Sequence, residues 1–441
     1  MRKKILSAIL CATMALTALT GCSSEGKEDV PSVYYMNFKP EVTEVWEEIA
    51  EAYTEETGIP VKVVTAAGGN YESTLKSEIV KSDAPTLFQI NGPIGYQAWK
   101  DYCADLSETQ FYNALSDKEL AIKGADGGVY GVPYTIEGYG IIYNLEIMNK
   151  YFAMDGAVVT SIDKINSFET LKAVVEDMQA KKDALGIKGV FASTSLLPGE
   201  EWRWNTHLAN LPINAEYVAN NVSDMEEITF SHGENFKNIF DLYLNNSTAD
   251  ARMLGSKGVN DSMAEFALGQ CAMVQNGNWG SSQVLGVSGN TVKSEDIKFM
   301  PIYMDLDGEE NQGLCIGTEN FLCINKKATE EEQKNAIDFL EWLYLSDKGK
   351  EYVRDKLKFI SPFESSDSSK MTDPLALEVV KWLENKSVNN IPWSFTIIPS
   401  TTFKNEFGAN LLKYSQEKMT WSDLEKAFNS KWKSEWDLLI K

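Results

Sequence analysis

Residues 127–147, GGVYGVPYTIEGYGIIYNLEI, decide how this chain is organised. The stretch opens with a glycine turn, continues as a short extended segment and ends in the apolar strand Ile141-Ile142-Tyr143. Pro133 has no N–H to donate to a central ladder, so it favours a strand edge or a crossover. We interpret the stretch as a crossing between two lobes, with Glu137 and Tyr139 facing the gap. An ordinary strand with a surface glutamate is the alternative.

The alternation of elements before this crossing predicts an α/β fold. Apolar runs at 33–38, 59–65 and 85–90 read as strands, and segments with helical spacing lie between them. Gly58 is placed to end the first helix. A β-α-β-α-β order indicates a parallel or mixed sheet with helices on its faces. The pattern restarts after the crossing, where Ser167 is placed to begin a helix.

The start of the chain predicts export. Basic residues at positions 2–4 precede a short apolar run, which leads into Leu19-Thr20-Gly21-Cys22. This order is typical of a secretory signal rather than a membrane span. The four residues ending at Cys22 resemble a bacterial lipobox, which implies cleavage before Cys22 and attachment of a lipid such as palmitate to its sulfur. Plain secretion with a coincidental cysteine is the alternative. We expect a signal peptide over 1–22, a flexible tether over 23–32 and an extracytoplasmic body anchored to the cell membrane.

Length and charge narrow the class of protein. A chain of 441 residues is long enough for two domains. Its net charge of −23 argues against nucleic acid as a partner. The chain has only two histidines, so a catalytic base or metal site built on histidine is not expected. Of the cysteines beyond Cys22, none has CxxC spacing, and a pairing of Cys315 with Cys323 on adjacent strands is left open.

No catalytic constellation stands out in the sequence. It has no serine elbow, no metal-spaced histidine pair and no phosphate-cradling glycine loop. Asp305-Leu306-Asp307-Gly308 suggests calcium, but its glycine comes too early for an EF-hand loop. We therefore expect neither a metal nor a cofactor.

Aromatic residues at strand ends and in loops suggest a binding site instead. Trp279 directly follows an apolar strand, Trp202 and Trp204 lie near a helix start, and Trp393 lies between two prolines. Flat apolar faces combined with amides and carboxylates suit a neutral polyol. Packing between lobes is the alternative for Trp279 and Trp393.

Three groups of segments together resemble one family. They are residues 129–133 leading into 140–144, residues 266–273 leading into Asn276-Gly277-Asn278-Trp279, and residues 321–325 followed by 332–344 and 346–349. The chain resembles the extracellular solute-binding proteins of bacterial ABC sugar importers, the group that includes maltose-binding protein. The resemblance implies a two-lobe periplasmic-binding-protein-like fold, with mixed sheets flanked by helices, hinge crossovers and a ligand cleft between the lobes. We expect a first lobe of 33–135 and 297–360, and a second lobe of 136–296 and 361–441.

The resemblance also implies a set of ligand-binding residues. Glu137 matches a carboxylate that bonds sugar hydroxyls, and Trp279 matches a stacking tryptophan. Further contacts are expected from both lobes, at Trp202 or Trp204, Tyr139, Asn37, Gln89, Asn91, Asn276 and Trp393. Asn278 stands where some members have a proline, which bears on how Trp279 approaches the ligand.

These observations predict a monomeric, lipid-anchored receptor, not an enzyme, that captures a carbohydrate and delivers it to ABC permease subunits by hinge closure. Several aromatic residues along one cleft favour an oligosaccharide. The alternatives are a receptor for a peptide or polyamine, an extracellular carbohydrate-active enzyme, and a surface adhesin without hinge closure.

Overall fold

The computed structural model describes residues 32–66, 70–364 and 367–439. The expected signal peptide, the lipid-bearing Cys22 and nearly all of the tether lie outside these residues. The strands are β1 (Val33–Asn37), β2 (Val61–Thr65), β3 (Leu87–Asn91), β4 (Ile122–Lys123), β5 (Val129–Pro133), β6 (Glu137–Asn144), β7 (Gly189–Phe191), β8 (Cys271–Gly277), β9 (Ile297–Met300), β10 (Gln312–Gly317), β11 (Asn320–Ile324) and β12 (Asn389–Ile391).

Helices cover both sheets. They are α1 (Thr43–Thr57), α2 (Tyr71–Glu78), α3 (Gly92–Trp99), α4 (Gln110–Asn113), α5 (Leu145–Phe152), α6 (Phe168–Ala180), α7 (Lys182–Leu185), α8 (Asn210–Asn220), α9 (Gly233–Asn245), α10 (Val259–Ala267), α11 (Gly280–Leu285), α12 (Glu330–Leu345), α13 (Asp347–Glu351), α14 (Pro374–Glu384), α15 (Thr401–Ser415) and α16 (Trp421–Leu439). Short 3₁₀ turns and the π-helical segments Arg203–Leu208 and Tyr352–Lys356 complete the chain trace. None of the helices in the described ranges is long and apolar enough to cross a membrane.

Helix ends form where the sequence supplies caps. Gly58 adopts φ 76°, which an L side chain rarely tolerates, and its N–H bonds the Thr54 carbonyl at 2.9 Å. The Ser167 hydroxyl accepts the Thr170 N–H at 3.2 Å and opens α6. Thr329 and Glu332 form a reciprocal capping box at the start of α12.

The first sheet has the order β2-β1-β3-β11-β5-β4. β1 is parallel to β2 and β3, whereas β11 is antiparallel to β3 and β5, so the sheet is mixed. Its core includes Trp46 of α1 and Phe339 of α12, which pack against strand residues such as Tyr35 and Leu322. This arrangement confirms the predicted α/β alternation.

The second sheet has the order β12-β10-β6-β8-β7, and β9 also pairs with β6. β6 is its centre, because β8 pairs along one edge while β9 and β10 share the other. A large core of residues from α6, α9, α15 and α16 packs against this sheet. The two sheets, each flanked by helices, confirm the predicted fold class.

Between the described strands the chain crosses from one sheet to the other three times, and two of these crossings are short segments that lie close to each other. The third lies between β11 of the first sheet and β12 of the second. Residues 134–136 lead from β5 of the first sheet to β6 of the second. Residues 318–319 lead back from β10 to β11. The first crossing is held by the Ile136 N–H, which donates to the Ile360 carbonyl at 2.7 Å. The crossing therefore lies within the stretch that opened the sequence analysis.

The lobe boundary expected at residue 297 stays a prediction, and strand pairing favours a later one. β9 and β10 both pair with β6 in the second sheet, and the first sheet resumes only with β11. An apolar strand has the same pattern whichever sheet it joins, so periodicity does not reveal this difference. We propose that the first lobe resumes at residue 320. Cys315 and Cys323 accordingly lie in different sheets, on β10 and β11, rather than on adjacent strands.

Candidate functional site

The candidate site lies where the two crossings meet the ends of β1 and β3. Glu137 is the first residue of β6, directly after the first crossing, and Glu319 lies in the second crossing. Asn91 ends β3, and its amide donates to Glu319 Oε1 at 3.4 Å. Lys39 follows the end of β1. Polar groups from both sheets therefore converge at one point.

A buried ion pair forms the polar centre of this site. Lys39 Nζ donates to Glu137 Oε1 at 2.7 Å, and the two side chains are 8% and 4% exposed. Glu41 Oε1 lies 3.8 Å from the same ammonium. The ammonium also lies 5.6 Å from the ring centre of Trp279, within reach of a cation–π contact. Lys39 thus joins the first lobe to the start of the second.

Burial and charge shift the titration of these groups. Burial raises the pKa of Glu137, and the Lys39 ammonium only partly offsets it. Burial lowers the pKa of Lys39, but attraction to Glu137, Glu41 and Glu319 outweighs it, so the pKa is raised overall. Burial likewise raises the pKa of Glu319. Lys39 therefore stays protonated at neutral pH. Burial of the carboxylates around it costs solvation free energy.

Six aromatic side chains form the apolar part of the site, which we call the aromatic cluster. The imidazole of His207 is one of the six, and it contacts the other five rings. Those rings belong to Tyr139, Trp202, Trp279, Trp393 and Phe395. His207 is stacked on Tyr139 with ring centres 4.3 Å apart and 12° between the planes. The Tyr139 hydroxyl donates to the His207 carbonyl at 3.0 Å. Trp202 and Trp279 are half-buried, whereas Trp393 is buried.

His207 is neutral in this setting. Burial lowers its pKa well below the ordinary value, and the positive charges of Arg203, Lys404 and Lys39 lower it further. A neutral ring packs among aromatic faces without the cost of a buried charge. The histidine is therefore a structural centre of the cluster.

Two glycines make room for the tryptophans of the cluster. A Cβ added at Gly277 would lie 2.1 Å from Cη2 of Trp279. A Cβ at Gly317 would lie 2.6 Å from Cγ of Trp393. Both distances are shorter than any real carbon contact, so a side chain at either glycine would displace the ring. The strand ends of β8 and β10 thus determine where the two indoles lie.

Three of the predicted site residues are fully buried and bonded within the protein. Asn37 brackets Lys39, because its amide nitrogen donates to the Lys39 carbonyl at 2.7 Å and its oxygen accepts the Lys39 N–H at 3.1 Å. Gln89 Oε1 accepts the Phe38 N–H at 2.6 Å. Asn276 donates to Gln283 Oε1 at 3.2 Å. We infer that they position the turns that carry Lys39 and Trp279.

The structure separates Trp204 from Trp202. Trp202 lies in the aromatic cluster, with its ring centre 6.0 Å from that of Trp279. Trp204 is buried on the other side of the π-helical segment, against Phe240 and Tyr243, and its indole N–H donates to the Ser195 carbonyl at 3.1 Å. Trp204 is thus a core residue in this arrangement, whereas Glu137, Tyr139, Trp202, Trp279 and Trp393 come together.

The site also contains charged residues that sequence reasoning missed. Lys39 is bonded to Glu137, and the charge of Lys404 acts on both His207 and Glu319. Burial lowers the pKa of Lys404, and Glu319 and Glu72 oppose that shift. A lysine shortly after the predicted first strand was the available signal for Lys39. Lys404 lies on α15 with no sequence feature that distinguishes it from a surface lysine. The sequence bears on histidine only as a possible base or metal ligand, and it gives no sign that the imidazole of His207 packs among aromatic rings.

The described residues include no group of three or more His, Cys, Asp or Glu arranged to hold a metal ion. The arrangement offers what a polar organic molecule needs instead. It combines half-buried indoles, a carboxylate, an ammonium and amides, and these come from both sheets and the segments that join them.

Comparison with known proteins identifies the type of protein. The sequence matches the family model of bacterial extracellular solute-binding proteins over residues 48–378. No curated protein sequence matches the chain significantly.

Three solved structures with the same fold are distant from this chain in sequence. A chitin oligosaccharide binding protein superposes with a TM-score of 0.72 at 18% identity, covering 93% of this chain and 100% of that one. RafE in complex with raffinose gives 0.68 at 20% identity, covering 91% and 99%. Maltose-bound MalE3 of T. maritima gives 0.67 at 15% identity, covering 91% and 99%. These likenesses establish a shared two-lobe fold.

Proposed function

The chain belongs to the bacterial extracellular solute-binding proteins, and from that premise we propose that it captures an oligosaccharide in the cleft between its lobes. The captured sugar is then delivered to the permease subunits of an ABC importer. The observation that carries the proposal is the aromatic cluster beside the buried Lys39–Glu137 pair, at the junction of the two sheets.

The chemistry of the site suits a carbohydrate. The faces of Trp202 and Trp279 supply apolar surface for the C–H face of a sugar ring. Glu137 accepts hydrogen bonds from hydroxyl groups, and the Lys39 ammonium donates them. A few polar groups among aromatic walls fix the orientation of a ligand. Because three indoles contribute to one cluster, we favour a ligand of more than one ring.

Similar solved structures support a ligand of more than one sugar ring. Two of them are described with raffinose and with maltose, and a third is a chitin oligosaccharide binding protein. Their ligands differ, so the comparison supports the class and not the identity of the sugar bound here.

The proposed mechanism is closure of the two lobes around the ligand. Lys39 and Asn91 come from the first sheet, whereas Glu137 and Trp279 come from the second. A ligand that contacts both sets binds the closed form more tightly, and so it shifts the population toward that form. The closed form then docks on the permease as a monomer.

The proposed location is the outer face of the cell membrane. The family is extracellular, which agrees with the secretory signal expected at the start of the chain. We propose that a lipid on Cys22 holds the body at the membrane, close to the permease. Mass spectrometry of the membrane fraction would detect the lipid, and a Cys22→Ala variant would be released into the medium.

We propose no catalytic step for this protein. Glycoside hydrolysis needs two carboxylates flanking a bond, one of them free to protonate the leaving group. Glu137 is instead bonded to the Lys39 ammonium at 2.7 Å. A carboxylate held in this way is suited to binding.

One observation favours an amine as a second candidate ligand. The Lys39 ammonium itself lies between Glu137, Glu41 and the face of Trp279, which is how a bound amine would be held. A polyamine would have to displace Lys39 from these partners. We therefore place this candidate after the sugar.

Calorimetry separates the two candidates. The full chain is titrated with raffinose, maltotriose, chitotriose, glucose, a tripeptide and spermidine. We expect micromolar binding, about −8 kcal/mol, from at least one trisaccharide and none from the tripeptide or spermidine. Binding of spermidine alone would establish the amine, and binding of glucose as tightly as any trisaccharide would overturn the oligosaccharide.

A further inference from the structure

Arg203 is a buried cation that the proposed function does not use. It opens the π-helical segment Arg203–Leu208, directly between Trp202 of the aromatic cluster and Trp204 of the core. The residue is 1% exposed, which is rare for an arginine. The guanidinium charge is therefore buried, and it lies next to Trp202 of the aromatic cluster.

The guanidinium has no hydrogen-bond partner among the described residues. Nε, Nη1 and Nη2 are all buried and all unpaired. The group packs on Trp202, with Cζ 4.2 Å from the ring centre, which satisfies one face but none of its N–H groups. Glu200 is the carboxylate whose charge acts on it, but Glu200 Oε2 accepts the Val259 N–H at 2.6 Å at the start of α10. Burial lowers the pKa of Arg203 to about 9.

A small cavity adjoins this side chain. It measures about 10 Å³, and its lining includes Arg203, Ser193, Gln275 and Tyr243. The hydroxyl groups of Ser193 and Tyr243 have no partner among the described residues. The Gln275 amide nitrogen is already engaged, because it donates to the Arg203 carbonyl at 2.8 Å. The cavity has room for about one particle of the size of a water molecule.

We propose that this cavity binds one small monovalent anion of the size of chloride. The guanidinium and the two hydroxyls line one small cavity and offer it donors, and Gln275 Oε1 is the one unpaired acceptor among its lining side chains. A water molecule would accept from these donors but would add no negative charge, and Glu200, the carboxylate that acts on Arg203, makes no hydrogen bond to the guanidinium. A buried charge without a bonded partner costs several kcal/mol. A monatomic anion both accepts the hydrogen bonds and neutralises the charge. It thereby stabilises Arg203 against Trp202, at the back of the aromatic cluster.

Salt identity tests the proposal without any mutation. Thermal unfolding of the full chain is measured in sodium chloride and in sodium gluconate at equal ionic strength, because gluconate is too large for the cavity. We expect the unfolding temperature to rise by about 2 °C for each tenfold increase in chloride above its dissociation constant. Equal unfolding temperatures in the two salts at every concentration would overturn the proposal.

Two further measurements test whether the effect of chloride on the unfolding temperature arises at Arg203. Arg203→Met should lose the difference between chloride and gluconate, whereas Arg252→Met should keep it, because Arg252 is exposed and paired with Asp250. Crystals of the unmodified chain grown in bromide should show one anomalous peak beside Arg203, a readout that holds even where Arg203→Met fails to fold. Absence of that peak would assign the cavity to water.

Discussion

The two sides of the cleft differ in what they offer a ligand. The second lobe presents rings that already pack on one another, with His207 between Tyr139 and the tryptophans. The first lobe presents charge, and Lys39 finds its closest partner only across the junction, at Glu137. The rings are therefore arranged within one lobe, whereas the ion pair depends on both. We infer that the aromatic side determines affinity and the charged side determines closure.

The largest effect should come from breaking the ion pair. Lys39→Met leaves Glu137 buried without its partner, which costs about 3 kcal/mol. The unfolding temperature should fall by roughly 5 °C in thermal denaturation. Small-angle scattering of the ligand-free chain should show a more open shape, because the charged side no longer joins the lobes.

A double-mutant cycle separates the pair from its surroundings. Lys39→Met combined with Glu137→Gln should be less destabilised than the sum of the single variants, because no charge is left unpaired. Lys356→Met is the matched control, since its partner Glu48 is exposed. Additive effects of the two single changes would mean that the ion pair does not link the lobes.

The aromatic side should show its effect in affinity rather than in stability. Trp279→Ala removes a half-buried ring of the aromatic cluster, and central aromatic residues carry much of a binding energy. We expect at least about a 100-fold loss of affinity for the sugar, measured by calorimetry, with little change in unfolding temperature. Trp342→Ala is the control, because that indole lies on α12 and donates to Glu56, far from the crossings. An unchanged affinity in Trp279→Ala would remove the cluster from the site.

The difference between the aromatic side and the charged side also explains which features could be predicted from the sequence. The alternation of strands and helices and the caps at Gly58 and Ser167 are local features, so they predict the fold directly. Glu137 begins a strand and Trp279 follows one, and both were predicted from the resemblance to a family. Buried charges gave no such signal, because a lysine looks the same in the sequence whether its ammonium lies in solvent or, like that of Lys39, in a buried ion pair.

Two further features of the structure could not be predicted from local sequence patterns. Trp202 and Trp204 are two residues apart, and only the π-helical turn places one in the cluster and the other in the core. Likewise, β9 and β10 read as apolar strands, but only their pairing with β6 assigns them to the second sheet. Both distinctions depend on long-range packing, which no local pattern contains.

The buried histidine predicts a pH dependence for the aromatic side. His207 stays neutral in the folded chain, whereas in the unfolded chain it binds a proton below about pH 6.5. Its contribution to stability is therefore present above that pH and is lost as the pH falls, by roughly 1 kcal/mol per pH unit.

Replacement of the ring tests this sign. His207→Phe keeps a ring against Tyr139 but binds no proton, so its stability should fall less between pH 7 and pH 5 than that of the unmodified chain. The difference should be roughly 2 kcal/mol by urea denaturation. A slope unchanged by His207→Phe would mean that the ring is accessible to protons.

The smallest effect should come from Asn91, at the edge of the charged side. Its amide donates to Glu319 at 3.4 Å, a long contact, and its oxygen has no partner among the described residues. A typical hydrogen bond contributes about 1 kcal/mol and this one is long, so Asn91→Ala should weaken sugar binding by about fivefold at most. Asn113→Ala, on the exposed face of α4, should bind as the unmodified chain does. A loss at Asn91 as large as that at Trp279 would reverse the division of roles, because affinity would then come from the lobe that carries the charge.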